Sequence, residues 1–345
     1  MSRKIRWGVL GVARIAMEKV IPATQAGQHS EVVAIASREI GKAREAASRL
    51  GIPRAYGSYD ALLADPDVDV VYNPLPNHLH VPWSIRAAEA GKHVLCEKPV
   101  GLNADEAEQL LAARDRTGVK MQEAFMVRTH PQWTTAVDLI HEGRIGVVRS
   151  IVGAFSFLLT DPANVRAVAD WGGGGLLDLG CYLVHTARWI CGREPVRVSA
   201  VMEMDPETHI DRLASLILEF DASSGSGPVH AIGTCSMYQA PYQRVHVLGT
   251  KGRVEIEIPF NAPLDAACRI FVGDGSDPTG AHAAAIEIAP CNQYTIQADR
   301  FSRAVRGEID LALPLEDSVR NMRVLDAIVR SARTGAWEAV APRHR

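Results

Sequence analysis

The segment Glu97-Lys98-Pro99 places an ammonium group directly after the apolar run 93–96. That run has the composition of a buried parallel strand, and the carboxyl ends of such strands face the crevice in which open α/β sheets bind ligands. Pro99 disfavours helical geometry at Lys98, so the turn is stiff. A rigid ammonium in a cleft can orient a substrate hydroxyl and move a proton. Lys98 is therefore a candidate acid/base residue, and the alternative is a surface lysine in an ordinary turn.

A second polar set follows the four glycines at positions 172–175. Asp178, Tyr182 and His185 are spaced i, i+4 and i+7, which places them on one face of a helix. The glycines allow the chain to approach a ligand closely. A tyrosine hydroxyl can act as a general acid or base if a cation lowers its pKa from about 10, and Lys98 is the obvious cation. The alternative is a tyrosine and a histidine that cap a core helix.

Strand-like and helical runs alternate through the first 124 residues, with short connections. The predicted strands are 5–10, 31–36, 52–56, 68–72, 93–96 and 119–123, and the predicted helices include 42–50, 60–64, 82–90 and 104–117. Asn103 to Glu106 resembles a capping box for the last of these helices. The alternation predicts a doubly wound parallel sheet with helices on both faces.

The turn after the first strand resembles a dinucleotide-binding fingerprint, G-x-G-x-x-G/A. Gly11 makes the tight turn, while Ala13 and Ala16 replace the second and third glycines. Ala13 adds a methyl group where the backbone should approach a pyrophosphate. We expect Gly11, Ala13, Arg14 and Ile15 to contact a dinucleotide, and the alternative is an ordinary strand-to-helix turn that contains glycine.

The next strand ends in Ser37-Arg38, where an NAD-preferring site usually has an acidic residue. Because a guanidinium pairs with phosphate, this predicts NADP in preference to NAD; the alternative is a solvated arginine that starts a helix. Leu75, Asn77 and His80 lie in the proline-containing segment that follows the fourth strand. We expect them to border the nicotinamide, although an ordinary proline-rich turn has the same pattern.

From about residue 125 the pattern changes to strands joined by turns, with a helix at 132–141. The predicted strands are 147–157, 196–201, 213–220, 229–237, 244–248 and 253–258. A turn is predicted at 223–227, and Val319, Met322, Leu325, Ile328 and Val329 form a predicted core stripe on a closing helix, 315–334. The fold class is therefore α/β, with a Rossmann domain at 1–124 and an α+β domain at 125–345 whose sheet is large, open-faced and mostly antiparallel.

Composition narrows the class of protein. A length of 345 residues favours two domains, and the net charge of −3 argues against a nucleic-acid or anionic-membrane partner. No apolar run approaches the roughly 20 residues of a membrane span, and the N-terminus has no signal-peptide pattern. The six cysteines are scattered singly, which predicts reduced thiols in the cytoplasm and no metal site.

Taken in order, these motifs resemble the glucose–fructose oxidoreductase / inositol dehydrogenase / rhizopine-catabolism family (Gfo/Idh/MocA). The resemblance implies a catalytic role for Lys98 and assigns Asp178 to the aspartate that follows the family's glycine run. Tyr182 stands where inositol dehydrogenases have histidine. That difference points to the branch of the family with dihydrodiol dehydrogenase and NADP-dependent xylose dehydrogenase.

The resemblance implies reversible hydride transfer between NADP and a secondary alcohol or hemiacetal carbon of a sugar, polyol or cyclic diol. Lys98, Tyr182 and Asp178 are the expected catalytic residues. The side chains expected to contact substrate also include Arg128 and His185, with His130 as a further candidate, and those expected to contact cofactor also include Glu97, Lys98 and Trp171. Two alternatives stay open, a non-catalytic NADP-binding sensor and a sugar–sugar oxidoreductase with tightly held cofactor. A homodimer or homotetramer formed through the second sheet is also expected.

Overall fold

The computed structural model of the protein describes residues 3–222 and 227–340. The chain forms two compact units. Unit 1 contains the described residues through Thr129 together with Asn292–Val319, and unit 2 contains His130–Cys291 and the described residues from Arg320 onward. The predicted turn at 223–227 falls almost wholly outside the described residues. Within the described ranges, no helix is both long and apolar enough to cross a lipid bilayer.

Unit 1 is built on a parallel sheet whose strands are mostly short buried apolar runs. Its strands are β1 (Ile5–Leu10), β2 (Ser30–Ala36), β3 (Arg54–Tyr56), β4 (Val70–Asn73), β5 (His93–Cys96) and β6 (Met121–Glu123). Their order in the sheet is β3-β2-β1-β4-β5-β6, and each neighbouring pair is parallel. This is the strand order of dinucleotide-binding domains, with ligands bound outside the carboxyl ends of the strands. The predicted doubly wound sheet is confirmed.

Helices connect these strands. A π-helical segment, Ala16–Val20, leads into α1 (Ile21–Gln25), and the others are α2 (Ile40–Leu50), α3 (Tyr59–Leu63), α4 (His80–Glu89) and α5 (Ala104–Thr117). The side-chain oxygen of Asn103 accepts a hydrogen bond from the backbone N–H of Glu106 at 2.9 Å, so the predicted N-cap of α5 is confirmed. A later helix, α8 (Gln293–Val305), returns to unit 1, where Phe301 packs edge-on against Trp7 of β1.

Unit 2 contains a large, mostly antiparallel sheet, as predicted. Among the described residues its strands are β7 (Val148–Leu158), β8 (Arg197–Met204), β9 (Asp211–Phe220), β10 (Val229–Ser236), β11 (Tyr238–Gly249), β12 (Arg253–Ile256), β13 (Cys268–Gly273), β14 (Ala284–Ile288) and β15 (Glu338–Ala339). The order is β14-β13-β12-β11-β7-β10-β9-β8-β15, in which β7 and β10 pair in parallel. The sequence analysis did not predict β13, β14 or β15.

The two faces of this sheet differ. On one face, Gly153 of β7 and Gly233 of β10 are direct neighbours and leave room for the side chain of Leu183. Leu183 belongs to α7 (Cys181–Cys191), so the glycines allow that helix to lie close to the sheet. The opposite face exposes apolar side chains, including Val201, which is 76% exposed, and Ile232, which is 47% exposed. In the unit taken alone, the sheet is therefore covered by α7 on one face and open on the other.

Two further helices complete the described chain, α6 (Pro131–His141) and α9 (Leu315–Thr334). The predicted core stripe of α9 is confirmed at four positions, since Val319, Met322, Leu325 and Ile328 are buried. It is wrong at Val329, which is 49% exposed. Because successive helical residues are rotated by about 100° around the axis, the residue after Ile328 points away from the buried stripe.

Candidate active site

In unit 1, the turn after β1 has the shape that the fingerprint predicts. The backbone N–H of Gly11 donates to the carbonyl of Ala36 at the end of β2 at 2.7 Å. Gly11 has φ of +81°, a left-handed conformation that favours glycine, and a Cβ there would lie 2.9 Å from Cδ2 of Leu75. The turn after β1 and the segment after β4 are therefore in close contact at the carboxyl edge of the sheet.

The chain becomes helical at Arg14 and continues so through Gln25. The side chains of Ala13 and Ile15 pack against the core of unit 1, while Arg14 is exposed and pairs with Glu18 at 3.0 Å. The first backbone N–H groups of this helical segment follow the Gly11 turn. A helix start after a glycine turn is a favourable place for phosphate, because its N–H groups lack partners within the helix. The geometry fits a dinucleotide pyrophosphate.

The residues after β2 fit a phosphorylated ribose. Ser37 is buried and its hydroxyl oxygen accepts a hydrogen bond from the backbone N–H of Glu39, whereas Arg38 is exposed. The carboxylate of Glu39 lies 2.7 Å from the ammonium of Lys42. Burial raises the pKa of Tyr59 and the Arg38 guanidinium opposes that rise, which indicates that the two side chains lie near each other. A guanidinium and a hydroxyl at this position suit a phosphate rather than a bare 2′-hydroxyl.

The backbone of the Lys98 turn is held by the side chain before it. One carboxylate oxygen of Glu97 accepts a hydrogen bond from the hydroxyl of Tyr72 at 2.7 Å, and the other accepts from the backbone N–H of Lys98 at 3.2 Å. Burial and the charge of Glu97 hold the pKa of Tyr72 well above its usual value, so the phenol stays protonated and donates. Lys98 itself is half-buried and is joined to Pro99 by a cis peptide bond. Lys98 therefore follows a fixed strand end.

His80 links this turn to the segment that contains Leu75. Its Nδ1 lies 2.7 Å from the carbonyl oxygen of Pro99, and its Nε2 lies 2.7 Å from the carbonyl oxygen of Leu75. Burial lowers the pKa of His80 to about 4 and the charge of Lys98 adds to this, while the contacts with the Pro99 and Leu75 carbonyls oppose the shift. Carbonyl oxygens only accept, so each of these contacts is a hydrogen bond when the ring nitrogen that makes it carries a proton. His80 thus faces backbone atoms with both ring nitrogens.

Two buried residues that were not selected from the sequence also hold the segments around Lys98 and His80 by hydrogen bonds. The amide of Asn73, at the end of β4, donates to the carbonyl of His80 at 3.0 Å. A carboxylate oxygen of Glu123, at the end of β6, accepts from the backbone N–H of Val100 at 2.9 Å. Both are the last residues of strands in the predicted sheet, and a polar residue at that position was the sequence signal that could have identified them.

In unit 2, the glycine run lies against other parts of the same unit. Gly172 and Gly174 have φ of +78° and +108°. A Cβ on Gly173 would overlap the carbonyl oxygen of Arg166, and one on Gly174 would overlap the carboxylate of Asp211. At these two positions the close approach is to protein atoms, whereas the sequence analysis expected glycines that approach a ligand.

Asp178, Tyr182 and His185 lie on the helical segment that follows the glycines. Its first turn is π-helical, Leu176–Gly180, and leads directly into α7. All three side chains are buried. The Tyr182 ring packs against Phe155 and Phe260, with ring centroids 5.9 Å and 5.3 Å apart, and the His185 ring lies 6.5 Å from that of Trp189. Aromatic neighbours therefore fix the orientation of the Tyr182 ring.

Asp178 forms an ion pair with a residue that the sequence analysis missed. The Nε of Arg166 lies 2.7 Å from a carboxylate oxygen of Asp178, whose side chain is 12% exposed. Arg166 belongs to a short 3₁₀ turn, Val165–Ala167. The pair neutralises a carboxylate that would otherwise be costly to bury. No motif in the sequence signals this contact.

The remaining predicted residues are distributed over both units. In unit 1, Asn77 is half-buried in the 3₁₀ turn Asn77–Leu79, and Arg128 donates to the carbonyl of Ala312 at 3.4 Å. In unit 2, His130 is buried as the N-cap of α6, and burial lowers its pKa to about 4. Trp171 is 41% exposed at the end of the 3₁₀ turn before the glycines. Unit 1 thus contains most of the predicted cofactor contacts. Unit 2 contains Asp178, Tyr182, His185 and His130, which are predicted to contact substrate.

Family models match both parts of the chain. Residues 5–125 match an oxidoreductase family with an NAD-binding Rossmann fold, and residues 133–255 match the GFO/IDH/MocA C-terminal domain. An oxidoreductase from Rhizobium meliloti is 48% identical over 97% of this chain and 99% of its own length. An NADP-dependent D-xylose 1-dehydrogenase from Haloferax volcanii is 40% identical over 96% and 98%.

Among solved structures, a 3-ketoreductase from Actinomadura kijaniata, KijD10, in complex with NADP and TDP-benzene, has a TM-score of 0.87. It is 32% identical, and the match covers 95% of this chain and 98% of that one. The resemblance inferred from the motifs is confirmed by sequence and by fold.

Proposed function

The chain belongs to the Gfo/Idh/MocA family of oxidoreductases, and on that premise we propose that it transfers hydride between NADP and a carbinol or hemiacetal carbon of a sugar, polyol or cyclic diol. One observation carries the proposal. Lys98 stands two residues after a buried strand at the carboxyl edge of the parallel sheet, the same edge at which a glycine turn and a helix start fit a pyrophosphate. Two relatives, a D-xylose 1-dehydrogenase and a 3-ketoreductase in complex with NADP and TDP-benzene, support this substrate class.

The cofactor is NADP. When bound, it accepts a hydride from the alcohol carbon or returns one to the carbonyl carbon. Ser37 and the exposed guanidinium of Arg38 hold the 2′-phosphate, while Gly11, Ala13 and the backbone N–H groups at Arg14 and Ile15 hold the pyrophosphate. Glu39, the residue after Arg38 in the chain, forms an exposed ion pair with Lys42.

The protein moves the proton. In the oxidative direction, the phenolate form of Tyr182 takes the proton from the substrate hydroxyl as the C–H bond of the carbinol carbon breaks, and Tyr182 becomes the neutral phenol. The positive charge of Lys98 favours the phenolate and stabilises the alkoxide that develops on the substrate oxygen. In the reductive direction Tyr182 returns the proton to that oxygen. Asp178, held by Arg166, and His185 orient the substrate hydroxyls.

Other side chains contact the cofactor or substrate. Leu75 and Asn77 border the nicotinamide, and His80 holds the carbonyl of Leu75 in place. Glu97 fixes the Lys98 turn on the cofactor side. Trp171 contacts the cofactor and Arg128 the substrate. Cofactor binding belongs to residues 1–124, and substrate binding and self-association belong to residues 125–345.

The direct experiment is a survey of substrates. The purified protein is incubated with NADP or NAD and a panel of aldoses, inositols and cyclic diols while nicotinamide absorbance is followed. We expect reduction of NADP by at least one sugar or diol, at a higher kcat/KM than with NAD. Binding of NADP without any turnover across the panel, in either direction, would contradict the catalytic proposal and favour a sensor protein.

We also propose that two copies of the chain associate through the open face of the unit 2 sheet. Val152, Ile217 and Ile232 are adjacent on neighbouring strands of that face, and all are exposed in the single chain. Contiguous exposed apolar side chains are typical of protein interfaces. Sedimentation equilibrium tests the proposal, because a monomer at micromolar concentration would contradict it. None of the six cysteines forms a disulfide bond, which supports the cytoplasm as the compartment.

A further inference from the structure

A buried carboxylate lies against the start of the helix that carries Asp178 and Tyr182. Asp211 is the first residue of β9 and is 5% exposed. Its Oδ2 accepts a hydrogen bond from the backbone N–H of Leu176 at 2.7 Å. Leu176 is the first residue of the π-helical turn. The carboxylate therefore accepts from an N–H group that has no partner within the helix.

The glycine run is shaped to admit this carboxylate. Gly174 has φ of +108°, and a side chain there would overlap Oδ1 of Asp211. A Cβ on Gly175 would lie 3.2 Å from Oδ2, which is tighter than ordinary contact. Two consecutive glycines thus leave space for a carboxylate from a strand that lies 35 residues from Leu176 in the sequence. An ordinary helix start needs only a local cap and does not require such a fit.

We infer that Asp211 is a positioning residue, whose ionised carboxylate fixes the glycine run and thereby the position of Tyr182 for proton exchange. The inference rests on the proposed function of Tyr182. The connection is short, because Leu176 begins the π-helical turn that leads into α7 and Tyr182 is the second residue of α7. A shift of about 1 Å at a group that exchanges a proton can cost as much as a hundredfold in rate.

The surroundings of Asp211 determine when the carboxylate is ionised. Burial raises its pKa to about 7 and Asp178 adds to the rise, while the backbone N–H groups of Leu176 and Gly175 oppose it. The other titratable group that faces it is the thiol of Cys235 on β10, which burial keeps protonated. The neighbouring Arg212 pairs with Asp205, and Arg166 pairs with Asp178.

The sign of the pH effect follows from these groups. The ionised carboxylate accepts the Leu176 N–H at Oδ2, and this form is present above the raised pKa. As the pH falls through about 7, Asp211 binds a proton and the contact weakens. Activity should therefore show an acid limb that belongs to Asp211, not to the residue that exchanges the substrate proton.

The test compares pH profiles of kcat for the full-length enzyme and three variants. Asp211→Asn keeps the size of the side chain and removes the charge. At pH values where Asp211 of the wild type is ionised, we expect the kcat of this variant to be about tenfold lower than that of the wild type. Its kcat should vary little with pH and should equal that of the wild type with protonated Asp211. The KM for NADP should stay within about twofold, since Asp211 is not placed at the cofactor. The thermal midpoint at alkaline pH should be retained, because the substitution removes a buried charge.

Asp205→Asn is the matched control. Asp205 also accepts backbone N–H groups, from Glu207 and Thr208, and its hydrogen bonds hold its pKa at about 2, so it is ionised throughout the assay range. Its profile should match the wild type. Tyr182→Phe should lower kcat at every pH and keep the limb.

The outcomes separate the two proposals. A wild-type kcat and a wild-type limb in Asp211→Asn, with a slow Tyr182→Phe, would overturn the role of Asp211 alone. A wild-type kcat in Tyr182→Phe would overturn the proposed function of the tyrosine. Tyr182→Phe that loses the limb, while Asp211→Asn keeps it, would assign the limb to the tyrosine and also overturn the inference.

Discussion

The Lys98 turn in unit 1 and the Tyr182 helix in unit 2 carry the proposed acid/base residues, but they are held in different ways. The Lys98 turn follows a regular strand and is fixed by neighbouring side chains of the same sheet edge, chiefly Glu97 and His80. The Tyr182 helix starts from an irregular glycine run and is fixed by Arg166 and Asp211. The position of Lys98 depends first on the regular end of a parallel strand, and the side chains of that edge add to it. The position of the Tyr182 helix depends on individual charged contacts.

The Lys98 turn and the Tyr182 helix also differ in the titratable groups that surround them. The side chains around the Lys98 turn are a histidine whose pKa burial lowers, a protonated phenol, and the carboxylate of Glu97, which accepts from that phenol and from the backbone N–H of Lys98. In unit 2, the carboxylates of Asp178 and Asp211 lie near each other, and Asp211 changes charge near neutral pH. We therefore expect pH to act on the enzyme mainly through unit 2.

The largest expected effect is the loss of the Lys98 charge. Lys98→Met should lower kcat by about a hundredfold and leave the dissociation constant for NADP nearly unchanged, since the ammonium acts on the reacting oxygen. Steady-state kinetics and fluorescence titration with NADP measure the two quantities. Lys120→Met is the control, because Lys120 precedes β6 at the opposite edge of the same sheet. Near-normal turnover of Lys98→Met would remove the lysine from the mechanism.

A smaller effect is expected at the 2′-phosphate, which tests whether unit 1 alone selects the cofactor. Ser37→Asp combined with Arg38→Ile should shift the ratio of kcat/KM for NADP over NAD by at least about tenfold toward NAD, because an acidic residue repels the phosphate and accepts the ribose hydroxyl. Arg49→Ile, which removes an exposed arginine at the end of α2, should leave the ratio unchanged. An unchanged ratio in the double variant would show that the phosphate binds elsewhere.

The smallest effect is expected at His80. It measures how much the contacts of His80 contribute to the position of Lys98, beyond the contribution of the strand end. His80→Phe removes both contacts to the carbonyls of Pro99 and Leu75 and should lower kcat by about three- to tenfold. His93→Phe is the control, since His93 accepts the Lys120 N–H at the amino end of the same strand that leads to Lys98. Circular dichroism verifies that both variants fold. Equal kcat in the two variants would mean that the strand end alone positions Lys98.

Much of unit 1 could be predicted because its signals are local. Each predicted strand lies within three residues of the observed bounds, since buried parallel strands are short apolar runs separated by turns. The roles of Gly11 and Asn103 followed from the geometry that turns and helix caps require. Helix α8 was missed because three of its six buried residues are polar, so its buried face becomes apparent only where Phe301 meets Trp7.

The supports of the Tyr182 helix could not be predicted from one sequence. Arg166 and Asp211 contact the helix start from a 3₁₀ turn and from a distant strand, and neither lies in a motif. The four glycines were recognised, but their neighbours were not, because a glycine run indicates close approach without indicating what approaches. His80 was predicted to border the nicotinamide, whereas its contacts with two backbone carbonyls depend on the folded turns and have no signal in the sequence.

The central claim is that Lys98 and Tyr182 act in one proton-transfer step, and a double-mutant cycle in kcat tests it most directly. Residues that act as a unit have non-additive effects, whereas independent residues have multiplicative ones. We predict that the variant with both Lys98→Met and Tyr182→Phe is about as slow as the slower single variant. A double variant whose rate loss equals the product of the two single losses would contradict the claim.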